Sequence, residues 1–334
     1  MTILITGGTG FLGSYFTRYA LNKGREDRIV ILDKYVDRGR IEDVLDRVTI
    51  IEGDVSDGDC VRSIVEANGI DRIAHFAFIL GSPAPGQMIP YVRVQSLGTV
   101  NVYEAARIAG VKRVLFCSSV AAYGTQNAPT LTEDLIPNPT NPYGYSKAWG
   151  EAMGRHYTEQ LGLEVVSLRF GSTYGLGRAW RGSYSSGILT PPGEIHYMAR
   201  VEQAVRGHPI EMPREDETAD WTYAGDAAQA AWLALTAESL PHHLYNVSAE
   251  RRCVGDHTRA MRELLPDAKI TTSGDEPPGH PHPPMDNTRL REDLGFAPKY
   301  TLRSGLEDYI ERIRAYDRYM QVSAQARFRA RAGK

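Results

Sequence analysis

Three side chains in the first half of the chain have the types and spacing of an acid–base site. Tyr143 and Lys147 lie four residues apart in a segment with helical periodicity, so both occupy one face of the helix. A phenol titrates at about pH 10 and must become more acidic to act near neutral pH, and a lysine ammonium one turn away favours the phenolate. Ser119 ends a predicted strand, where its hydroxyl can hold the substrate oxygen that Tyr143 deprotonates.

A glycine-rich turn, Thr6–Gly13, provides a candidate site for a phosphorylated ligand. It follows the apolar run Ile3–Ile5 and opens a helical pattern over Ser14–Asn22, so it joins a strand to a helix N-terminus. The N–H groups and positive dipole of that terminus attract a pyrophosphate, and glycine lets the backbone approach it closely. A second apolar run, Arg28–Leu32, ends in Asp33, whose carboxylate can accept the hydroxyls of an adenosine ribose. The turn and the acid together predict a dinucleotide site.

The elements that must position these residues follow from hydrophobic patterning. Further strands are predicted over Val48–Val55, Ile73–Ala77, Val114–Cys117 and Glu164–Leu168, and helices over Cys60–Ala67, Tyr91–Ala109 and Tyr143–Gln160. This alternation predicts an α/β fold in which a doubly wound parallel (Rossmann) sheet carries helices on both faces. Ligands of such sheets bind beyond the carboxyl ends of the strands, where Asp33, Ala77, Ser119 and Phe170 fall.

The alternation breaks down from about residue 175. We predict a cofactor-binding domain over residues 1–175 and a smaller C-terminal substrate-binding lobe over 176–320, with segments that return to the sheet. Residues 321–334 are basic, and we predict a solvated or frayed tail there. The elements predicted in this half are helices over Ile195–Arg206, Asp226–Ala237 and Leu306–Tyr319 and a strand over Leu244–Val247.

Composition excludes several classes of function. The 334 residues carry a formal net charge of −3, which gives no reason to expect nucleic acid or an anionic membrane as partner. No apolar run approaches the roughly 20 residues that span a bilayer, and the first strand begins at Thr2, which leaves no room for a signal peptide. Cys60, Cys117 and Cys253 show no pair spacing. We therefore predict a cytoplasmic protein with reduced cysteines.

Seven motifs follow one another in an order known from one enzyme family. They are Thr6–Gly13, Gly53–Val55, His75–Ala77, Ser118–Gly124, the pair Tyr143 and Lys147, Arg169–Gly175, and Asp226. In these motifs the chain resembles the extended short-chain dehydrogenase/reductases, the NAD-dependent epimerase/dehydratase family. The resemblance covers nearly the whole chain and is most specific over the first 175 residues.

The resemblance implies NAD as cofactor and Ser119, Tyr143 and Lys147 as catalytic residues, with Lys147 also on the nicotinamide ribose. Asp33 implies NAD rather than NADP because its charge would repel a 2′-phosphate, although Lys34 and Arg38 lie nearby. Cofactor contacts are expected from Gly7, Gly10, Phe11, Leu12, Gly13, Asp33, Asp54, Val55, Ala77, Tyr143, Lys147 and Phe170. Substrate contacts are expected from Ser119, Ser172 and Tyr174.

The residues after Ser119 argue against dehydration. The family's 4,6-dehydratases and related decarboxylases have acids after the catalytic Ser or Thr, whereas this chain has Val120 and Ala121. Elimination of water needs a proton acceptor and donor at the sugar carbon, and apolar side chains provide neither. We therefore do not expect dehydratase chemistry.

Positions that bind a nucleotide diphosphate in the family are also altered. Members that bind nucleotide-linked sugars typically use an asparagine where this chain has Ser172 and an arginine where it has Ala219, and a second arginine is missing from Pro277–His280. A diphosphate without cationic partners is poorly held, which favours a smaller substrate such as a free sugar or sugar acid. The arginines that could substitute are Arg178, Arg181, Arg214, Arg251 and Arg252.

Two further departures lie close to the predicted cofactor. Gln95 stands where the family usually has asparagine, and it offers the same donor and acceptor on a longer side chain. Phe78 stands where alanine is common, and we expect it to narrow the nicotinamide end of the pocket.

Two remaining features bear on partners. The histidines His242, His243, His280 and His282 fit no usual zinc spacing, so we predict no metal site. The helices predicted over Tyr91–Ala109 and Tyr143–Gln160 carry apolar residues on more than one face. Equivalent helices of the family often pair across a two-fold axis, and we therefore expect a homodimer.

Three functional hypotheses follow. The first is an NAD-dependent oxidoreductase that transfers hydride at a secondary alcohol or ketone of a sugar-like, non-nucleotide substrate. The alternative is a nucleotide-sugar 4-epimerase, similar to UDP-glucose 4-epimerase, that retains NADH while a ketone intermediate rotates. The third is a non-catalytic NAD-sensing regulator, against which the complete set of Ser119, Tyr143 and Lys147 argues.

Overall fold

A seven-stranded parallel sheet forms the centre of the computed structural model, which describes residues 1–24, 27–83, 85–178, 200–273 and 282–332. The strands are β1 (Thr2–Thr6), β2 (Arg28–Asp33), β3 (Val48–Glu52), β4 (Arg72–His75), β5 (Arg113–Ser119), β6 (Glu164–Phe170), β7 (Ser172–Tyr174), β8 (Ile210–Met212), β9 (Thr218–Tyr223), β10 (Leu244–Val247), β11 (Glu250–Cys253) and β12 (Ile270–Thr272). Their order in the main sheet is β10-β6-β5-β4-β1-β2-β3. The chain therefore starts in the middle and winds outward in both directions, which confirms the predicted doubly wound topology.

Helices cover both faces of this sheet. They are α1 (Phe11–Lys23), α2 (Gly58–Asn68), α3 (Met88–Val92), α4 (Gly98–Ile108), α5 (Pro142–Gln160), α6 (Arg200–Val205), α7 (Ala224–Thr236), α8 (Val254–Leu264), α9 (Thr288–Leu294) and α10 (Leu302–Ala332). Successive strand side chains point to opposite faces, so Ile3 and Ile5 pack in the core under α1 and α7, while Leu4 packs under α2 and α4. Two buried faces explain why the strands are continuous apolar runs.

The second half of the chain builds part of the main sheet and two smaller ones. β10 pairs with β6 in parallel, and α7 packs against α1, so segments of this half lie on the main sheet. β7, β9 and β11 form a three-stranded sheet, and β8 pairs with β12. β7 continues from β6 after a single residue, Gly171, so the small sheet begins directly beside the cavity described below.

Several predicted bounds were wrong. The strand predicted to reach Val55 ends at Glu52, because Gly53 packs against Cys60 and Leu32 with no space for a side chain. A π-helical turn over Arg93–Leu97 interrupts the helix predicted over Tyr91–Ala109. The helix predicted over Leu306–Tyr319 extends from Leu302 to Ala332, since residues 320–332 contain no glycine or proline. The predicted helix Ile195–Arg206 starts at Arg200 within the described residues, and residues 179–199 lie outside them.

Within the described ranges, no helix combines the length and apolar character needed to cross a membrane.

Candidate active site

A cavity of about 450 Å³ lies at the carboxyl ends of β1, β2, β4, β5 and β6. It contains most of the residues that the sequence singles out. Those that line it are Gly7, Gly10, Phe11, Leu12, Asp33, Asp54, Val55, Ala77, Ser119, Tyr143, Lys147, Phe170 and Ser172. Gly13 and Tyr174, which were also predicted to contact ligands, do not line it.

The glycine turn forms one wall because side chains cannot be accommodated there. Gly7 has a left-handed φ of +69°, and a Cβ on it would lie 2.8 Å from the backbone nitrogen of Ala77. A Cβ on Gly13 would collide with the carbonyl of Gly7, so Gly13 permits close packing beneath the turn instead of touching a ligand. α1 begins at Phe11, so the N–H groups of its first turn lack helical partners and are available to a pyrophosphate.

Asp33 is held in place by the glycine turn. Its Oδ2 accepts hydrogen bonds from the backbone N–H of Thr9 at 3.0 Å and from the Thr9 hydroxyl at 2.7 Å. Burial raises the pKa of Asp33, and the hydrogen bonds from Thr9 act in the opposite direction. The contact with Thr9 orients the carboxylate toward the cavity, where it can accept ribose hydroxyls.

The basic residues near Asp33 are engaged by acids. Lys34 forms an ion pair of 2.6 Å with Asp54, and Arg40 forms one of 3.1 Å with Asp37. Arg38 is exposed and does not line the cavity. The geometry therefore fits NAD better than NADP. The carboxylate of Asp54, expected near adenine, also accepts a hydrogen bond from the N–H of Ser56 at 2.9 Å.

Helix α5 starts at the position that places Tyr143 and Lys147 in the cavity. The side chain of Asn141 accepts a hydrogen bond from the N–H of Gly144 at 2.9 Å, and Pro142 occupies the first turn, which together fix the helix start. Tyr143 and Ser119 share a hydrogen bond between their side chains. Lys147 is fully buried, and its Nζ donates to the carbonyl of Cys117 at 2.7 Å.

Burial shifts the pKa values of Lys147 and Tyr143 in opposite directions. Burial lowers the pKa of Lys147 to about 7, against the opposing effects of Cys117 and Glu151. Burial raises the pKa of Tyr143 well above its ordinary value, and Arg178 and Ser119 act in the opposite direction. In the chain without cofactor, desolvation of Tyr143 therefore outweighs the groups that favour its phenolate. That Lys147 lowers the pKa of Tyr143 stays a prediction.

A buried ion pair supports the strand end that carries Ser119. The guanidinium of Arg169 donates to both carboxylate oxygens of Glu151, at 2.8 and 2.6 Å, and Ser118 donates to the same carboxylate. The ring of Tyr123 lies 4.2 Å from the Arg169 guanidinium carbon. The pair and Ser118 join β5, β6 and α5 behind the cavity.

The substituted Gln95 connects two walls of the cavity. Its amide forms hydrogen bonds with the N–H and the carbonyl of Ile79, at 3.0 and 3.1 Å. The side-chain nitrogen of Gln95 lies 3.1 Å from the hydroxyl of Tyr91 and 3.3 Å from the hydroxyl of Ser146. Ser146 in turn donates to the carbonyl of Tyr143. Glutamine thus provides both a donor and an acceptor, as expected, and fixes the segment after β4 against α5.

The sequence did not predict that His75 forms a hydrogen bond with the neighbouring strand β1. Its Nδ1 lies 2.7 Å from the hydroxyl of Thr6, which accepts a hydrogen bond from the N–H of Ala77. Burial and the charge of Lys147 lower the pKa of His75 to about 3, so the imidazole is neutral. Its place in the motif after β4 was visible, but its partner Thr6 on a neighbouring strand was not.

The expected substrate contact from Tyr174 is contradicted. The side chain is 2% exposed and packs in the core, with its ring centre 6.0 Å from Trp221 and 5.3 Å from Tyr223. Ser172 at the start of β7 lines the cavity, whereas Tyr174 at its end lies where β7 pairs with β9 in the small sheet and does not line the cavity. We remove Tyr174 from the substrate contacts.

Most described arginines that could replace the missing diphosphate ligands are ion-paired away from the cavity. The pairs are Arg214 with Asp216 at 2.9 Å, Arg251 with Asp220 at 2.8 Å and Arg252 with Glu250 at 2.6 Å. Arg178 lines the cavity. Ala219 is buried, and both Arg181 and the stretch Pro277–His280 lie outside the described residues.

The histidines occupy separate places. His242 lies 2.6 Å from Asp293, His243 lies 3.5 Å from Glu164, and His282 lies 3.6 Å from Asp220. His280 is outside the described residues. Among the residues that are described, no three of the His, Cys, Asp and Glu side chains form a group that could hold a metal ion.

The comparison with known families agrees with this site. A model of the NAD dependent epimerase/dehydratase family matches residues 3–248. The chain belongs to this family. Its members are enzymes with NAD as cofactor, so the predicted class, fold and cofactor are confirmed, and the hypothesis of a non-catalytic regulator is set aside.

Relatives within the NAD-dependent epimerase/dehydratase family include epimerases, a dTDP-glucose 4,6-dehydratase of Mycolicibacterium smegmatis, which is 26% identical over 99% of this chain and 99% of its own, and a dehydrogenase. UDP-glucose 4-epimerase of Azospirillum brasilense is 28% identical over 91% of this chain and 89% of its own. D-erythronate dehydrogenase of Cupriavidus necator is 30% identical over 69% of this chain and 70% of its own. The crystal structure of Thermus thermophilus UDP-glucose 4-epimerase in complex with NAD is 27% identical and covers 94% of this chain and 99% of its own, with a TM-score of 0.75.

Proposed function

We propose that this enzyme catalyses NAD-dependent hydride transfer at a secondary alcohol or ketone of a sugar-like substrate. The observation that carries the proposal is the meeting of Ser119, Tyr143 and Lys147 at one end of a cavity whose other end contains the glycine turn and Asp33. NAD supplies the hydride acceptor when bound. The N-terminus of α1, Asp33 and Lys147 would hold its pyrophosphate, adenosine ribose and nicotinamide ribose.

In this mechanism the chain moves one proton. The hydroxyl of Ser119 would hold the reacting hydroxyl oxygen of the substrate, and the Tyr143 phenolate would accept the proton of that hydroxyl as the hydride leaves the carbon that bears it. The Lys147 ammonium and Arg178 stabilise the phenolate. Because burial raises the pKa of Tyr143 in the chain alone, further positive charge from the oxidised nicotinamide favours the reactive form.

Relatives favour a nucleotide-sugar 4-epimerase as the more specific function. The epimerase of Azospirillum brasilense aligns over 91% of this chain, and the Thermus thermophilus enzyme shares its fold over 94%. In an epimerase, hydride returns to the opposite face of the same carbon, so the reaction has no net NADH production. This candidate therefore outranks the dehydrogenase hypothesis on similarity.

A specific observation supports a dehydrogenase of a non-nucleotide substrate as the second candidate. Ala219 occupies the position of an expected diphosphate arginine and is buried, and Arg214, Arg251 and Arg252 are paired with acids. A relative with dehydrogenase activity is 30% identical over 69% of the chain.

One experiment separates the candidates. Purified protein with NAD is incubated with free sugars, sugar acids and UDP- or dTDP-sugars, while NADH absorbance and sugar composition are followed. Epimer formation without net NADH production supports the nucleotide-sugar 4-epimerase, and sustained NADH production supports the dehydrogenase of a non-nucleotide substrate. Replacement Tyr143→Phe should reduce either rate by roughly 100- to 10,000-fold, and an unchanged rate would disprove the role of Tyr143.

A homodimer is part of the proposal. Four large apolar side chains on α4, α5 and the turn before α4 remain exposed: Leu97 by 47%, Ile108 by 54%, Tyr145 by 59% and Trp149 by 36%. α4 and α5 pack against each other, and we propose that these residues form one surface across the two helices. A second copy of the chain would cover this surface through a two-fold interface.

A further inference from the structure

The ammonium of Lys147 is enclosed by β5, by its own helix α5 and by the segment after β4. Its Nζ lies 3.1 Å from the centre of the Phe78 ring and donates to the carbonyl of Cys117 at 2.7 Å. The ring centres of Phe116 and Tyr143 lie farther from Nζ, both at 5.3 Å. Of these three rings, that of Phe78 therefore makes the closest contact with the charge.

The Phe78 ring is fixed by its own neighbours. Its centre lies 4.5 Å from that of the His75 ring and 5.4 Å from that of the Phe116 ring, with which it makes an edge-to-face contact. Both neighbours are fully buried on the adjacent strands β4 and β5. The ring of Phe78 could turn away from Lys147 only by losing these contacts.

The backbone around Phe78 is held as firmly as the ring. The N–H of Phe78 donates to the carbonyl of Phe76 at 2.9 Å. The side chain of Gln95 bonds both the N–H and the carbonyl of Ile79, at 3.0 and 3.1 Å. Gln95 lies in the π-helical turn Arg93–Leu97, and such turns occur frequently at functional sites.

A directional chain of hydrogen bonds holds the other end of this segment. Thr99 donates to the carbonyl of Gln95 at 2.7 Å, so its oxygen accepts from Nε2 of His75 at 3.3 Å. The neutral imidazole then accepts at Nδ1 from the hydroxyl of Thr6 at 2.7 Å. The oxygen of Thr6 accepts in turn from the N–H of Ala77 at 3.3 Å. The segment that carries the ring is thus fixed on both sides of it.

The Phe78 ring acts on the ammonium in two opposite ways. Its π face attracts the cation, whereas its apolar bulk excludes the water that would otherwise hydrate it. Exclusion of water has the larger effect, because burial lowers the pKa of Lys147 to about 7. An apolar side chain at position 78 thus decides how much of the charge remains near neutral pH.

Other ionisable groups also face the ammonium. They are Tyr143 and Glu151 on α5, Cys117 on β5 and His75 on β4. Glu151 is engaged by Arg169 in the buried ion pair. Burial raises the pKa of Tyr143 and of Cys117 and lowers that of His75 to about 3, so these three groups keep one charge state around pH 7.

We propose that Phe78 is a positioning residue of the hydride-transfer site, whose ring holds the Lys147 ammonium against the carbonyl of Cys117 and keeps water from it. An ammonium has three N–H donors, and those not used by the carbonyl and the ring are available to Tyr143 or to a cofactor ribose. The long lysine side chain has many rotamers, and the ring restricts them to this position. The inference rests on the proposed function and deepens it, because Phe78 acts through Lys147.

The test follows the titration of Lys147 directly. The full chain without cofactor is labelled with carbon-13 at the lysine Cε, and the pH dependence of the lysine signals is recorded by NMR. The chain has seven lysines, so the spectrum is simple, and Lys147→Met identifies the signal of interest. The variants compared with wild type are Phe78→Ala, Phe78→Leu and the control Phe76→Ala.

Phe76 is a matched control. It lies two residues from Phe78 and lines the same cavity, but its ring packs against Phe16, with ring centres 5.4 Å apart. Phe76→Ala therefore removes the same side chain from the same segment without uncovering Lys147.

We expect the titration midpoint of Lys147 to rise by roughly 1 to 2 pH units in Phe78→Ala, because water then reaches the ammonium. Phe78→Leu keeps apolar bulk but lacks the π face, so the midpoint should stay in place or fall by up to roughly 1 unit. Phe76→Ala should leave it unchanged. An unchanged midpoint in Phe78→Ala, or an equal rise in Phe78→Leu or Phe76→Ala, would overturn the inference. If Phe78→Ala does not fold, the milder Phe78→Val decides, since a rise supports the role of the ring and an unchanged midpoint overturns it.

The pH profile of kcat/KM for NAD gives a second measurement, because it reports ionisations of the free enzyme. If the ammonium is the active form, the alkaline fall in activity should move to higher pH in Phe78→Ala together with the NMR midpoint. A profile that stays in place while the midpoint moves would overturn the positioning role. Absence of turnover in wild type would instead count against the proposed function, and the NMR titration would still decide the role of Phe78.

Discussion

The ammonium nitrogen of Lys147 lies 3.1 Å from the centre of the Phe78 ring. The aromatic face and the carbonyl of Cys117, at 2.7 Å, are its nearest favourable contacts. Both stabilise the charged form, yet burial outweighs them and lowers the pKa of Lys147 to about 7. Phe78 lines this end of the cavity and shields the lysine from water. That it narrows the nicotinamide end stays a prediction. The enzyme therefore carries a lysine that changes charge near neutral pH.

The buried lysine should destabilise the protein below neutral pH. Below pH 7 both folded and unfolded chains bind the proton, and the folded chain bears the full cost of burying the charge. Between pH 7 and about 10.5 only the unfolded chain retains it, so the free energy of unfolding of wild type rises with pH across this window. Lys147→Met should therefore stabilise the protein by up to about 5 kcal/mol at pH 6, and the gain should vanish toward pH 10.5.

Urea unfolding at pH 6, 8 and 9.5 measures this difference. The exposed Lys112 is the matched control, because Lys112→Met removes the same charge from the surface and should give a small difference at every pH. A gain for Lys147→Met that does not change with pH would show that the lysine keeps an ordinary pKa in the folded protein.

Asp33 should set both the strength and the selectivity of cofactor binding. Asp33→Asn removes the charge that opposes a 2′-phosphate, and we expect the KM for NAD to rise by about 10-fold while use of NADP improves. Thr9→Val tests the support of this carboxylate, since Thr9 donates to it twice. That variant should weaken NAD binding less than Asp33→Asn and should not improve the use of NADP. If neither replacement alters the ratio of NAD to NADP, Asp33 does not contact the ribose.

The buried pair of Glu151 and Arg169 should dominate the stability of the catalytic strand end. Glu151→Gln leaves the guanidinium in a buried site without its counter-charge, and we expect a loss of about 3 to 5 kcal/mol in the free energy of unfolding. The exposed pair of Arg303 and Glu307 provides the control, where Glu307→Gln should cost less than about 1 kcal/mol. Denaturant unfolding at pH 7.5 compares the two, and equal losses would contradict the argument from burial.

The exposed apolar surface on α4 and α5 should mediate dimer formation. Trp149→Glu places a charge on this surface, and we expect a dimer in wild type and a monomer in the variant by sedimentation velocity. Val322→Glu is the control, because Val322 is exposed on α10 and lies away from these helices. A monomeric wild type, or a dimer that tolerates Trp149→Glu, would exclude this interface.

Patterns short enough to reside in one segment were well predicted. The alternation of apolar strands and helices anticipated the doubly wound sheet, and Thr6–Gly13 and Asp33 anticipated one end of the cavity. The predicted ends of strands and helices were less accurate next to contacts with other segments of the chain. An example is Gly53, which packs against Cys60 and Leu32. The π-helical turn at Arg93–Leu97 likewise left no pattern in the periodicity.

Contacts between distant segments could not be predicted. Tyr316 in α10 donates to Asp37 at 3.2 Å, and the N–H of Asp37 donates to the hydroxyl of Thr9 at 3.1 Å, so the last helix supports the cofactor turn. No local signal connects residues 279 positions apart.

The sequence by itself determined the family and the cofactor and predicted Ser119, Tyr143 and Lys147 as the catalytic residues, because these depend on residue types at short spacing. Only the tertiary structure decided that Tyr174 is buried, that Arg178 shares the cavity with Tyr143 and that Lys147 titrates near neutral pH. Burial and pKa depend on everything that surrounds a group, and those surroundings are assembled from segments far apart in the chain.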